Sequence, residues 1–196
     1  MTVRAHAATG LEAWERREAT VLAVLPYVML AITTTVDVFV QENGIALDLA
    51  LSAAAALWML WMVTLHPAWR ERPRVMGVYF LGLIALMAAL VAHAPWYGFF
   101  TFTGYLSAVM LPGRWRAVGV LAVAAVTGAS QLGGFPDGSA ESIALYVLIV
   151  AVNGGVAGAL TWFNVVGDEM TRSRTIAIDE LTEVNARLET TLEENA

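Results

Sequence analysis

Residues 75–94 read VMGVYFLGLIALMAALVAHA, a stretch of twenty residues without Asp, Glu, Lys or Arg. A helix needs about 20 predominantly apolar residues to cross the hydrocarbon core of a bilayer. Three arginines, Arg70, Arg72 and Arg74, lie just before this stretch, and Pro95 follows it. The stretch therefore predicts a transmembrane helix with a basic flank at one end only.

Five further apolar stretches lie on either side of this one, at residues 21–40, 45–65, 96–111, 115–132 and 143–166. The stretch at 96–111 is the shortest, and Pro95 and Pro112 lie at its ends. Only 14% of the 196 residues are charged and 58% are hydrophobic, whereas soluble domains carry about 25% charged residues. The sequence predicts an all-α fold in which residues 21–166 form a polytopic bundle of six transmembrane helices.

The basic residues alternate between the connectors of this bundle. All eleven are arginines, and they lie in the N-terminal tail (1–20), the second connector, the fourth connector and the C-terminal tail (167–196). The first, third and fifth connectors contain none. Because cytoplasmic loops carry an excess of basic residues, the pattern predicts a protein of the bacterial cytoplasmic membrane with both termini in the cytoplasm.

The C-terminal region is predicted to be helical. No proline follows Pro136, so residues 142–196 can form one long helix, with Gly167 as a joint below the membrane. Apolar residues in the tail occupy a and d positions of a heptad, with an Asn at one a position: Ile178, Leu181, Asn185, Leu188 and Leu192. A buried Asn at a favours one register in a parallel pair. We expect a homodimeric coiled coil, with a surface helix or a disordered tail as alternatives.

Some residues within or beside the predicted spans are candidates for a functional role. Gly154 and Gly158 have the G-x-x-x-G spacing that lets helices approach closely, and Asn153 lies beside them; packing within one subunit and a dimer interface both remain open. Asp37 is an ionisable residue in a span, hence a functional candidate, although its shallow depth predicts contact with outer-surface water. Trp96 and Tyr97 suit an interfacial aromatic belt and are possible sensing residues.

Several kinds of chemistry are not expected. The chain has no cysteine, so cysteine chemistry is excluded. Ser107 and Ser130 have no mid-membrane His to pair with, which argues against an intramembrane protease. We expect no catalytic residue, cofactor or metal, and no nucleic-acid partner; membrane lipids are the expected surroundings. The acidic residues assigned to the outer face are Glu42, Asp48, Asp137 and Glu141.

Several segments resemble one known family. Residues 179–196, DELTEVNARLETTLEENA, are similar to the linker helix of actinobacterial sensor histidine kinases of the NarL/DesK-like class. Residues 95–105, 111–116 and 130–134 resemble the membrane sensor of the same family. The resemblance covers most of the chain from about residue 60 onward. Its motifs belong to the sensor and linker and not to a catalytic domain.

The resemblance implies a sensor and signal-transmission module of a two-component system. The family's phosphoacceptor segment and ATP-binding motifs have no counterpart here, and none of His6, His66 and His93 has a suitable context. The chain as given is therefore expected not to be an enzyme and to be the N-terminal part of a longer protein. A LuxR/NarL-type response regulator would be a partner only through the missing kinase core. A small transporter or channel is the alternative.

Overall fold

The computed structural model describes residue 20 and residues 23–40 and 44–194. The described residues are almost entirely helical, and no strand occurs among them. The predicted all-α class is therefore confirmed for this part of the chain. The predicted N-terminal tail lies almost wholly outside it, as do the side chains from Asn185 onward.

The helices follow one another with short connections. We number the α-helices α1 (Ala23–Val40), α2 (Ile45–Met59), α3 (Pro73–His93), α4 (Phe102–Ala108), α5 (Arg114–Gln131) and α6 (Ala140–Glu194). A π-helical turn, Leu60–Thr64, continues α2, and two 3₁₀ helices cover Pro67–Glu71 and Pro95–Thr101. Three of these elements begin with a proline, which suits the first helical position because its missing N–H has no partner to lose there.

In the described part of the chain, four helices are long and apolar enough to cross a membrane: Ala23–Val40, Ile45–Thr64, Pro73–His93 and Ala140–Phe163. They coincide, within a few residues, with four of the six predicted stretches. Helices of this length and composition are those of a membrane protein. The other two stretches are helical but differ in kind. Residues 96–111 contain a 3₁₀ helix joined to the seven-residue α4, and residues 115–132 form most of α5, which is less apolar than α2 and α3.

The chain divides into two compact units, the first ending at Ala157 and the second beginning at Gly158. Within the first unit α3 is the central helix, in contact with α2, α4, α5 and both 3₁₀ helices. Its buried residues lie three, four or seven positions apart along one face, as at Tyr79, Leu83, Met87 and Leu90. In lipid, helices associate mainly by close van der Waals packing, so this face organises the bundle.

The second unit is the remainder of α6, and it is helical through Gly167 to Glu194. Threonine hydroxyls donate to carbonyls one turn earlier, Thr171 to Gly167 at 2.9 Å and Thr182 to Ile178 at 2.8 Å. The predicted long C-terminal helix is thus confirmed over the described residues. The position predicted as a joint, Gly167, lies within the continuous helix α6.

The N-terminus of α6 is capped by its own connector. The backbone N–H of Ser142 donates to Ser139 Oγ at 3.2 Å, and the N–H of Ser139 donates to Asp137 Oδ1 at 2.9 Å. Such side-chain acceptors satisfy N–H groups that the first helical turn leaves unpaired. The bond from Ser139 stabilises the ionised Asp137 carboxyl and lowers its pKa below the usual value.

Candidate functional site

Two carboxyl groups are buried where α1 ends and α2 begins. Asp37 is 1% exposed and Asp48 is 0% exposed. The predictions that Asp37 reaches water and that Asp48 belongs to an acidic outer surface are therefore wrong. The position of Asp37 near the end of its span suggested exposure, but the helical period decides which face of α1 the side chain lies on. Leu30, Thr33 and Asp37 are spaced by three and four residues and share the buried face of α1.

Asp48 is paired with a histidine from α3. His93 Nδ1 lies 2.8 Å from Asp48 Oδ1, and the His93 side chain is 35% exposed while that of Asp48 is not exposed. The imidazole thus connects a buried carboxyl to the surface. Gly44, which precedes α2 with φ +91°, lies against this ring, and a Cβ at Gly44 would stand 2.7 Å from His93 Cε1.

Hydroxyl groups extend the site on its other side. Tyr97, in the 3₁₀ helix Pro95–Thr101, is fully buried, and its hydroxyl lies 2.9 Å from Ser52 Oγ. Thr34 Oγ1 donates to the same Ser52 oxygen at 3.0 Å. The aromatic-belt assignment is therefore wrong for Tyr97, because its hydroxyl finds partners inside the bundle. Trp96, its neighbour, is 47% exposed.

These residues form one cluster, which we call the acidic cluster: Asp37, Asp48, His93, Tyr97, Ser52 and Thr34. The side chains of Asp48, His93 and Tyr97 all act electrostatically or by hydrogen bonding on the Asp37 carboxyl. Asp37 Oδ1 is nevertheless buried, and no described residue forms a hydrogen bond with it. Ionisable groups inside a membrane are costly and are usually functional, so the acidic cluster is the candidate site.

Within the described ranges, no group of three or more His, Asp or Glu side chains has an arrangement that could hold a metal ion. What the geometry offers is two buried carboxyls beside one accessible imidazole. Groups of this kind bind and exchange protons, since two neighbouring carboxylates in a dry site do not readily both ionise.

Two of the predicted packing residues of α6, Asn153 and Gly154, lie against α5 in the first unit. Asn153 Nδ2 donates to Gln131 Oε1 at 2.8 Å. A Cβ at Gly154 would stand 3.5 Å from Leu121 Cδ1 and 3.6 Å from Ala124 Cβ, both of α5. The structure thus gives Asn153 and Gly154 neighbours within one chain. Gly158 is the first residue of the second unit, and its role in a dimer stays a prediction.

The predicted coiled-coil positions are only partly described. Ile178 and Leu181 are 62% and 64% exposed in the single chain, so their apolar surface is free to pair. The side chains of Asn185, Leu188 and Leu192 lie outside the described part. The coiled coil remains a prediction.

The acidic cluster could have been found in the sequence by its spacing. Asp48 and Ser52 are one helical turn apart in an otherwise apolar span, as are Thr33 and Asp37. Residues four apart lie on the same face of a helix, so each pair marks a polar patch within a span. What the sequence does not contain is the meeting of these patches with His93 and Tyr97, which lie more than forty residues away.

No protein-family model, no curated protein and no solved structure matches the chain.

Proposed function

We propose that the chain is the transmembrane sensor and signal-transmission module of a two-component sensor histidine kinase. In this proposal a membrane or extracytoplasmic stimulus changes the packing of the spans, and α6 carries the change to a kinase core beyond Ala196. The observation that carries the proposal is α6 itself, which begins in an apolar stretch at Ala140 and continues as one helix through a heptad-patterned tail to Glu194.

The proposal needs six crossings. The two segments that are not among the four span-length apolar helices, Pro95–Ala108 and α5, support that number by their length. At about 2.0 Å per 3₁₀ residue and about 1.5 Å per α residue, Pro95–Ala108 extends roughly 25 Å. The 3₁₀ portion thus lengthens a segment that would reach only about 21 Å as an α-helix. The eighteen residues of α5 reach about 27 Å, close to the roughly 30 Å of a bilayer core.

A topology measurement tests the membrane arrangement. We expect a reporter that is active only in the cytoplasm to be active when fused after Ala196 or after Arg72, and inactive after Pro136. These positions follow the distribution of arginines among the connectors. Activity after Pro136, or inactivity after Ala196, would contradict the proposed orientation.

A phase experiment tests transmission. The kinase core of a NarL/DesK-like protein would be fused in heptad register after Ala196, and one to seven residues would be inserted after Gly167. If the tail transmits rotation or register through a coiled coil, autophosphorylation should vary with insert length and recover at seven, because the heptad repeats with that period. Equal autophosphorylation at every length would argue against transmission through α6.

A small transporter or channel is the second candidate, and the acidic cluster is the observation that favours it. Transporters place polar and ionisable groups within their spans, as at Asp37 and Asp48. Proton flux in vesicles containing the chain distinguishes the two candidates. A sensor should leave the flux at the level of protein-free vesicles, whereas a transporter should raise it and lose that increase in the Asp37→Asn variant.

A further inference from the structure

We infer that Asp37 is a proton-binding site, held beside the Asp48–His93 pair and reached from water through the His93 imidazole. The inference deepens the proposed sensor, because it names the proton as the ligand whose binding changes the packing of α1, α2 and α3. It starts from a geometric fact: Asp37 Oδ1 is buried with no hydrogen-bond partner among the described residues, next to a second buried carboxyl.

The two carboxyls are not equivalent, which decides the one that carries the proton. Asp48 lies in the first turn of α2, where the helix dipole favours negative charge, and it has the His93 imidazole 2.8 Å away. Asp37 lies in the last described turn of α1, which ends at Val40, where the dipole disfavours negative charge. These differences place the proton on Asp37.

Two threonine hydroxyl groups near Asp37 donate to other acceptors. Thr33 Oγ1 donates to backbone carbonyls of its own helix, at 2.9 Å and 3.0 Å, and Thr34 Oγ1 donates to Ser52. An ionised Asp37 would thus keep Oδ1 in a dry site with no donor from the described part of the chain, which is costly. A proton on the carboxyl removes that charge.

Among residues 23–40 and 44–194, the titratable groups that face Asp37 are members of the acidic cluster. They are Asp48 from α2, His93 from α3 and Tyr97 from the 3₁₀ helix. Of these, only the His93 side chain is substantially exposed, at 35%, and imidazole exchanges protons readily near neutral pH. Loss of the Asp37 proton would place two negative charges side by side, and their repulsion would push α1 away from α2.

Infrared difference spectroscopy on the full chain in lipid vesicles tests the site. We expect the carbonyl band of a buried, protonated carboxylic acid to disappear as the pH of the vesicle suspension is raised. The band should be absent in Asp37→Asn. In Asp48→Asn it should remain but titrate at a pH lower by about one unit or more, because a neighbouring negative charge helps Asp37 keep its proton. Glu141→Gln, at an exposed position, is the control and should not change the band.

Other outcomes overturn the inference. Persistence of the band in Asp37→Asn would assign the proton to another residue, and a band that responds to added Zn²⁺ or Mg²⁺ at constant pH would indicate a metal ligand. Asp37→Asn has nearly the shape of the neutral acid, so the proposal requires this variant to fold; its failure to fold would also count against the neutral state.

A parallel measurement separates this inference from the proposed function. The kinase chimera described above would be assayed across the same pH range. An infrared band assigned to Asp37 together with pH-independent autophosphorylation would keep the proton site and reject its role in sensing. A chimera that is regulated by α6 phase but shows no Asp37 band would keep the sensor and reject the proton site.

Discussion

At the scale of single residues, the acidic cluster depends on a position with no side chain. Gly44 adopts φ +91° just before α2, a conformation that glycine reaches at little cost. The same residue leaves room for His93, whose Cε1 would lie 2.7 Å from a Cβ at position 44. The positive φ of Gly44 and its contact with His93 therefore both require glycine. Without a side chain at this position, the His93 ring can reach Asp48.

Gly44→Ala should therefore be more damaging than an equivalent change elsewhere. Gly138 is a matched control, since it has the same φ of +91° but no atom within 4 Å of an added Cβ. We expect Gly138→Ala to cost about 1–2 kcal/mol for the backbone conformation alone. Gly44→Ala should cost about 1–3 kcal/mol more, from overpacking against the imidazole.

The measurement is the free energy of unfolding of both variants, by denaturant titration in detergent micelles. The larger loss in Gly44→Ala should disappear when His93 is replaced by Ala, because the ring that clashes is then gone. Equal losses for Gly44→Ala and Gly138→Ala would show that the His93 contact is unimportant.

At the scale of elements, a tryptophan of α2 forms a hydrogen bond with α3. Trp58 Nε1 donates to the Tyr79 carbonyl at 3.0 Å, so the indole fixes the position of one helix against the other. The ring lies over Gly82, where an added Cβ would stand 2.5 Å from Trp58 Cζ2. Small residues at such contacts let helices pack closely in lipid, where apolar burial from water contributes little between spans.

Gly82→Ala should loosen this contact, and Gly77 in the same helix is the control because an added Cβ there meets nothing within 4 Å. We expect Gly82→Ala to destabilise the protein by about 1–3 kcal/mol through overpacking. Gly77→Ala should be neutral or slightly stabilising, since Ala is the better helix former. Trp58 fluorescence is not specific in a chain with seven tryptophans, so the unfolding free energy is the measurement.

At the scale of the whole molecule, the predicted coiled coil would join two chains through the tail of α6. Leu181 lies at a d position of the predicted heptad and is 64% exposed in the single chain. Glu180, its neighbour, lies at an outward c position and is also exposed. A parallel coiled coil would bury Leu181 and leave Glu180 in water.

Single cysteines test this arrangement, and the chain has no native cysteine to interfere. We expect Leu181→Cys to form a disulfide-linked dimer under mild oxidation in membranes, because the two d positions face each other across a parallel pair. Glu180→Cys should cross-link much less. Similar cross-linking at both positions would indicate random collision in place of a coiled coil.

The sequence by itself determined that the described chain is helical and where its apolar helices lie. That follows because the need for about 20 apolar residues per crossing is a property of the chain and not of its partners. Residues 21–40, 45–65, 75–94 and 143–166 each contain or overlap a span-length helix for this reason.

Only the tertiary structure decided which polar residues face inward and which residues they meet. Asp37 was expected at the water surface and is buried, and Tyr97 was assigned to an interface and lies in the core. The hydropathy pattern locates a span and hence the depth of each residue along it. The burial of a side chain also depends on the face of the helix on which it lies and on the helices packed there. The pairing of Asp48 with His93 joins residues 45 positions apart, and only the packing of α2 against α3 brings them together.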